Sequence, residues 1–326
     1  MKKLADGLGR KINYLRLSVT DHCNMRCVYC VPEGGVPHGA LDKPLDFDQF
    51  LLISRAAVSL GIKKIRVTGG EPLVRKGIVG FLRELAGLPG LERLVLTTNG
   101  LNLAEMAQDL KDAGVQSLNI SLDSLEAERF CHLTRRDCLD DVLAGIEMAE
   151  KVGLRYKINT VIMRGRNDHE IPDFAKLAMA HNCSVRFIEY MPVMKEEGWQ
   201  SLVMPSDEVL QRLREHHQLE QVNRDSMSGP AREFRIDGTK GKVGVISPLS
   251  GHFCGDCNRI RITSTGKVRT CLFSDQVHDL VPLLETQDID QLAAYLLSLV
   301  NDKPARHCMD TTHAEHTAFS MSEIGG

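Results

Sequence analysis

The chain has 326 residues, 43% of them apolar and 25% charged, enough to bury a large core and unlike the composition of a disordered protein. A formal net charge of −3 gives no overall attraction to nucleic acid or to a membrane surface, so any anion site has to be local. No apolar run approaches the roughly 20 residues that span a bilayer, and the start Met1-Lys2-Lys3-Leu4-Ala5-Asp6 has no apolar secretion signal, so the expected location is a reducing cytoplasm. Ten cysteines in that compartment favour metal or catalytic use over disulfides.

In chain order, the first 190 residues alternate short β-rich runs with segments of helical periodicity. Strands are predicted at 14–18, 64–67, 93–96, 117–120, 156–162 and 185–189, with helices at 47–60, 78–85, 103–113, 139–152 and 171–181. Repeated β-then-α units imply a parallel sheet covered by helices. Six strands fall short of the eight that close a TIM barrel, so the expected fold class is α/β, a partial TIM-like (β/α)6 barrel. A doubly wound open sheet satisfies the same periodicity. Pro192, Gly198 and Pro205 then interrupt the alternation and divide the chain into 1–192 and 193–326. The second part is expected to be a smaller α+β domain, with a helix near 206–215, β-like runs at 233–236 and 242–246, short strands around a second group of cysteines, and a helix near 289–300. Locally, residues 321–326 read as a small flexible end.

The residues that follow each predicted strand carry the functional signal. Cys23, Cys27 and Cys30 follow the first, Gly69-Gly70-Glu71-Pro72 the second, Thr97-Thr98-Asn99-Gly100 the third and Ser121-Leu122-Asp123 the fourth. The fifth strand carries Lys157 and Asn159, and the sixth ends in Glu189-Tyr190-Met191-Pro192. In α/β folds the C-terminal ends of parallel strands converge on one face, so these residues describe one shared site.

Cys23, Cys27 and Cys30 are spaced Cys-x3-Cys-x2-Cys, one thiolate too few for a closed tetrahedral site or a fully ligated four-iron cluster. Either a zinc site borrowing His22 or an iron–sulfur cluster with one open iron satisfies the count. Cys254, Cys257 and Cys271 repeat the shortfall; a structural zinc knuckle completed by His252 and a second open cluster are both consistent with it. Between them, Arg259 and Arg261 fall on the same face of an extended segment, where guanidinium forks suit phosphate oxygens unless the strand is simply a solvated edge. Arg16 and Lys157 read equally as phosphate ligands or as ordinary salt-bridged residues. His307, Cys308, His313 and His316 match no common metal-site spacing, and Cys131, Cys138 and Cys183 read as core thiols.

The first triad together with Gly69–Pro72 resembles the radical S-adenosylmethionine (SAM) superfamily. The resemblance implies a [4Fe–4S] cluster on Cys23, Cys27 and Cys30 whose fourth iron is chelated by SAM. Adding Cys254, Cys257, Cys271, Arg259-Ile260-Arg261, Phe187–Pro192 and the terminal Gly325-Gly326 narrows the resemblance to the branch that opens molybdenum-cofactor biosynthesis from GTP. That branch implies two [4Fe–4S] clusters and a 5′-deoxyadenosyl radical that takes hydrogen from C3′ of GTP before C3′ bonds to C8, giving 3′,8-cyclo-7,8-dihydro-GTP. By motif position it implies SAM contacts at Tyr29, Gly70, Ser121 and Met191. GTP contacts fall to Arg16, Arg66, Thr97, Lys157, Arg259 and Arg261, with Ile260 contributing backbone, and the tail reaches back into the cavity. An electron donor, a downstream cyclic pyranopterin synthase and a homodimer are the further partners it suggests. A peptide-modifying radical SAM enzyme with an auxiliary cluster and a zinc-binding interaction protein are the rival readings.

Overall fold

The structure is a computed structural model and describes residues 4–31, 43–194, 196–223, 227–307, 309–314, 316–317 and 319–325. Six strands and the helices between them build the first part: β1 (Tyr14–Ser18), α1 (Phe47–Ser59), β2 (Lys64–Thr68), α2 (Ile78–Ala86), β3 (Arg93–Thr98), α3 (Leu103–Asp112), β4 (Ser117–Ser121), α4 (Ala127–Thr134), α5 (Leu139–Lys151), β5 (Tyr156–Ile162), α6 (Ile171–Ala180) and β6 (Ser184–Glu189). The six strands lie side by side in sequence order, and every adjacent pair is parallel. A doubly wound sheet would reverse its order at the centre, so this is the partial (β/α)6 barrel. Helix α4 was not expected; its eight residues begin just beyond Ser121-Leu122-Asp123, after Ser124-Leu125-Glu126, and lack a side-chain cap at the start.

The chain beyond residue 192 supplies α7 (Ser206–Arg214), β7 (Leu219–Gln221), β8 (Arg232–Ile236), β9 (Lys242–Ile246), β10 (Arg259–Ile262), β11 (Lys267–Arg269), β12 (His278–Asp279), α8 (Val281–Leu284), α9 (Ile289–Asn301) and α10 (Met321–Ile324). Among the described residues it builds no sheet of its own. Strand β9 pairs parallel with β6, and β10 pairs parallel with β1, so the same segment covers both edges of the barrel in a twelve-stranded sheet. Arg259 and Arg261 therefore lie on an interior strand, between β1 and β11, and not on a solvated edge.

Alternation along each strand separates two environments. Leu15, Leu17, Ile65, Val67, Leu94, Leu96, Leu118 and Ile120 belong to the principal core. The intervening positions face into the barrel and are polar: Tyr14, Arg16, Arg66, Thr97, Ser121, Asn159 and Arg186. A second apolar cluster of Tyr190, Val193, Trp199, Leu249, Phe273, Met309, Phe319 and Ile324 packs around Tyr29 and Met191, closing the C-terminal end of the barrel. No described helix is long and apolar enough to cross a membrane.

Candidate active site

One cavity at the C-terminal ends of the strands is lined by both cysteine triads, Cys23, Cys27 and Cys30 together with Cys254, Cys257 and Cys271. Tyr29, Gly70, Ser121 and Met191 line it as well, as do Arg16, Arg66, Thr97, Arg259 and Arg261. Lys157 does not. It lies in an adjoining cavity at the opposite ends of the strands, where it pairs with Glu233 at 3.2 Å, and Arg66 and Arg186 line both spaces. Ile260 turns the other way into the core and is 1% exposed, so only its backbone is open to a ligand.

The loop carrying the first triad is held by the end of β2. Gly70 N–H donates to Thr20 O and Glu71 N–H to His22 O, both at 2.7 Å. A Cβ on Gly69 would sit 2.7 Å from Thr20 O, and one on Gly70 2.4 Å from His22 O. These glycines thus admit the neighbouring backbone, and a ligand is not the reason for their size. Glu71 is also committed internally. Its carboxylate accepts from Leu73 N at 3.0 Å, Thr98 Oγ1 at 2.8 Å and Asn99 N at 2.6 Å, tying β2 to β3. Burial raises its pKa to about 7 against the pull of those donors. Tyr29 donates to Asp123 Oδ2 at 2.6 Å, which turns its ring toward the cavity.

Burial raises Cys23 to about 11 and Cys30 to about 12, and Cys27 rises well above the ordinary thiol value with Asp123 beside it. In the second triad burial likewise raises Cys254, but Cys257 differs. Burial opposes ionisation of Cys257, yet Arg259 and Lys303 bring it down to about 6. The loop that carries this triad is set by Glu189 at the end of β6, which accepts from Leu249 N at 3.0 Å and Ser250 N at 3.1 Å. Arg10 fixes its other side, donating to Cys254 O at 2.7 Å and Pro304 O at 2.8 Å while pairing with Asp6. His252 Nδ1 and His307 Nε2 are 3.3 Å apart and share a neighbourhood with Cys254, so His307 clusters here and not with His313 or His316. Cys308 lies outside the described residues. Cys138 and Cys183 are buried as expected of core thiols, whereas Cys131 is half-buried.

Cations concentrate between the triads. Tyr14 pairs in register with Lys64 and Arg259, and Arg16 with Arg66 and Arg261, so neighbouring strands present their basic residues at matching levels. Burial, then repulsion from nearby arginines, lowers Lys64 to about 8 and Arg261 to about 10, and Lys157 is brought to about 8 in the same way. Burial alone would raise Tyr14, but Arg66, Lys64, Arg16 and Arg259 draw it down to about 8. Cations that depress one another mark a place suited to a multiply charged anion. Lys64 and Arg186 were not singled out from sequence. The signal was available: Lys64 stands two residues before Arg66, and Arg186 is the register partner of the inward-facing Asn159.

The donor set fits the groups that the resemblance implies. Three thiols at each end of one cavity match two clusters that each leave an iron open. Thr97 Oγ1, Asn159 Oδ1 and Arg66 Nε are buried without a hydrogen-bond partner, which suits a polar ligand. The C-terminal segment enters the same space. Met321 N–H and Ser320 Oγ donate to Cys30 O at 3.2 and 3.0 Å, and Arg16 Nη2 donates to Gly325 O at 3.2 Å. Gly325 has a φ of 73°, and a Cβ there would meet Thr68 at 2.6 Å, so the tail threads between β1 and β2 because this residue is glycine. Gly326 lies outside the described residues.

Comparison with known proteins places these features in context. The radical SAM superfamily model matches residues 17–178, and the Molybdenum Cofactor Synthesis C model matches residues 183–309. A GTP 3′,8-cyclase of Geobacter sulfurreducens is 55% identical over 325 residues, spanning 99% of this chain and all of that protein. A GTP 3′,8-cyclase of Peptoclostridium acidaminophilum is 46% identical, spanning 99% of this chain and 98% of that one. Among solved structures, SuiB of Streptococcus suis bound to the precursor peptide SuiA superposes with a TM-score of 0.62 at 15% identity, covering 89% of this chain and 68% of that one, a likeness of fold.

Proposed function

The chain belongs to the GTP 3′,8-cyclase family of radical SAM enzymes, and from that premise we propose how its residues divide the work at the cavity. The protein is a lyase that converts GTP to 3′,8-cyclo-7,8-dihydro-GTP in molybdenum-cofactor biosynthesis, using SAM and [4Fe–4S] clusters. When bound, the first cluster and SAM supply a carbon radical able to take hydrogen from C3′ of GTP, ahead of bond formation to C8. Cys23, Cys27 and Cys30 would hold that cluster, with Tyr29, Gly70, Ser121 and Met191 flanking SAM. Cys254, Cys257 and Cys271 would hold the second.

Arg16, Arg66, Arg259 and Arg261, joined by Lys64, Lys157 and Arg186 toward the far end of the barrel, receive the triphosphate. Their charge takes the place of a Gly-rich phosphate loop, which the sequence lacks. Thr97 and the Ile260 backbone add uncharged contacts. Glu233 holds Arg186 at 2.6 Å and Lys157 at 3.2 Å, keeping two of these cations in place until phosphate arrives. Tyr190, Phe273 and Phe319 close the apolar cover that excludes water from the reacting atoms. An external one-electron donor feeds the first cluster, and a cyclic pyranopterin synthase consumes the product; leaving out the donor should stop turnover, and adding the synthase should deplete the cyclised nucleotide.

The observation that carries this reading is the convergence of two cysteine triads and one set of buried cations on a single cavity. Anaerobic loading with iron and sulfide should give roughly eight irons per chain, and 5′-deoxyadenosine should form with GTP consumption once dithionite and SAM are added. Stoichiometric zinc without SAM cleavage would sink the assignment.

A further inference from the structure

Lys303 has the setting of a functional residue, although no motif points to it. It follows α9 directly, with its N–H donating to Val300 O at 3.2 Å before Pro304 stops the helix. Its side chain then enters the interior, and the residue is 5% exposed. Lysine is rarely buried unless its charge is matched. Here the ammonium donates to Arg259 O at 3.0 Å and to Thr270 O, drawing together the first residue of β10 and the residue before Cys271. The ammonium thus sits beside the second triad, next to Cys271 through Thr270 and two residues from Cys257 through Arg259, with two of its three hydrogens held by these carbonyls.

We propose that Lys303 is a positioning residue for the second cluster, its buried ammonium tying the Arg259 and Thr270 carbonyls together beside Cys257 and Cys271 so that its charge stabilises the reduced cluster. This rests on the reading that Cys254, Cys257 and Cys271 hold a cluster. Reduction adds negative charge, and hydrogen bonds and positive charge at the ligating sulfurs favour the reduced form. Arg259 Nη2 also approaches Cys257 Sγ, at 3.7 Å, but Arg259 lines the cavity and serves the nucleotide. Lys303, held by backbone carbonyls, does not line that cavity. Its backbone is fixed for that task, because Arg10 donates to the carbonyls of Lys303, Pro304 and Ala305 and to Cys254 O, clamping lysine and triad to the same support.

The test uses the full chain with Cys23, Cys27 and Cys30 all changed to Ala, so that iron reports on the second triad alone. Lys303→Met, Lys303→Gln and Lys303→Arg are made in that background, loaded anaerobically and followed by EPR-monitored redox titration and by iron release to a chelator. Thermal melts identify any variant that has failed to fold. The expected result is a more negative midpoint in Lys303→Met and Lys303→Gln, faster iron release in both, and recovery of both properties in Lys303→Arg. Midpoints equal to the parent's in Lys303→Met and Lys303→Gln overturn the proposal, even where iron release is faster, since a packing role alone would give that pattern. A parent that binds no iron instead overturns the reading of the second triad as a cluster site.

Discussion

The two cysteine triads present the same number of sulfurs to one cavity from opposite electrical surroundings. Burial above all raises the thiols of the first, Cys23 to about 11, Cys30 to about 12 and Cys27 well above the ordinary value, and the buried Asp123 and Glu71 beside them add to it. Beside the second stand Arg259 and Lys303, and Cys257 falls to about 6. On the proposed assignment, a cluster among these carboxylates would hold an added electron poorly, which suits donation to SAM. Cations beside the other favour retention of charge and sit next to the residues proposed to take GTP. Ligand count therefore says how many positions are open, while the second layer of charges decides what each triad is good for.

The largest test of that contrast removes cations from the second side. Arg259→Ala with Arg261→Ala should lower GTP turnover by about a hundredfold or more, since each charged hydrogen bond contributes roughly 1.5–3 kcal/mol. SAM cleavage at the first triad should continue, so the ratio of 5′-deoxyadenosine to cyclised product should rise; an unchanged ratio would separate these arginines from GTP. On the first side, Glu71→Ala should destabilise the fold by about 2–4 kcal/mol by leaving Leu73 N, Thr98 Oγ1 and Asn99 N without an acceptor. Thermal or urea melts measure it, and a loss below 1 kcal/mol would mean that solvent replaces the carboxylate.

A subtler comparison uses pH. In the metal-free chain the thiolate population of Cys257 falls only as pH drops through about 6, so its alkylation rate should be level from pH 7 to 9. That of Cys23 should keep climbing toward pH 11. Peptide mass spectrometry after brief alkylation reads both, and parallel profiles would erase the contrast. The smallest effect expected is optical: a phenolate step near pH 8 at about 295 nm that is missing in Tyr14→Phe.

Much of this was legible in the residues. The six barrel strands and five of their helices follow from local periodicity, and the strand-end residues from the rule that parallel strands share a functional face. The positions assigned to SAM and GTP came from the resemblance, with strand parity pairing Arg259 and Arg261, and the same parity counted from Arg66 would have added Lys64. What stayed hidden is non-local. Nothing near Arg259 announces that β10 pairs with β1, so its neighbours read as part of a separate unit. Lys303-Pro304 reads as a helix stop, and only the packing of α9 reveals where the ammonium goes. The internal commitment of Glu71 was hidden in the same way, because its partners come from β3 and the turn after it.

The pairing of Tyr14 with Arg259 also has a consequence for how the protein is made. During synthesis β1 leaves the ribosome among the first residues, and β2 can cover one of its edges early, but the strand that covers the other comes near the end. Until then the nascent barrel keeps an open edge, the hazard that invites strand pairing between chains. Cys30, too, gains its hydrogen bonds from Ser320 and Met321 only when the last residues arrive. The same late residues thus close the barrel's open edge and cover the first triad, so both depend on the end of the chain.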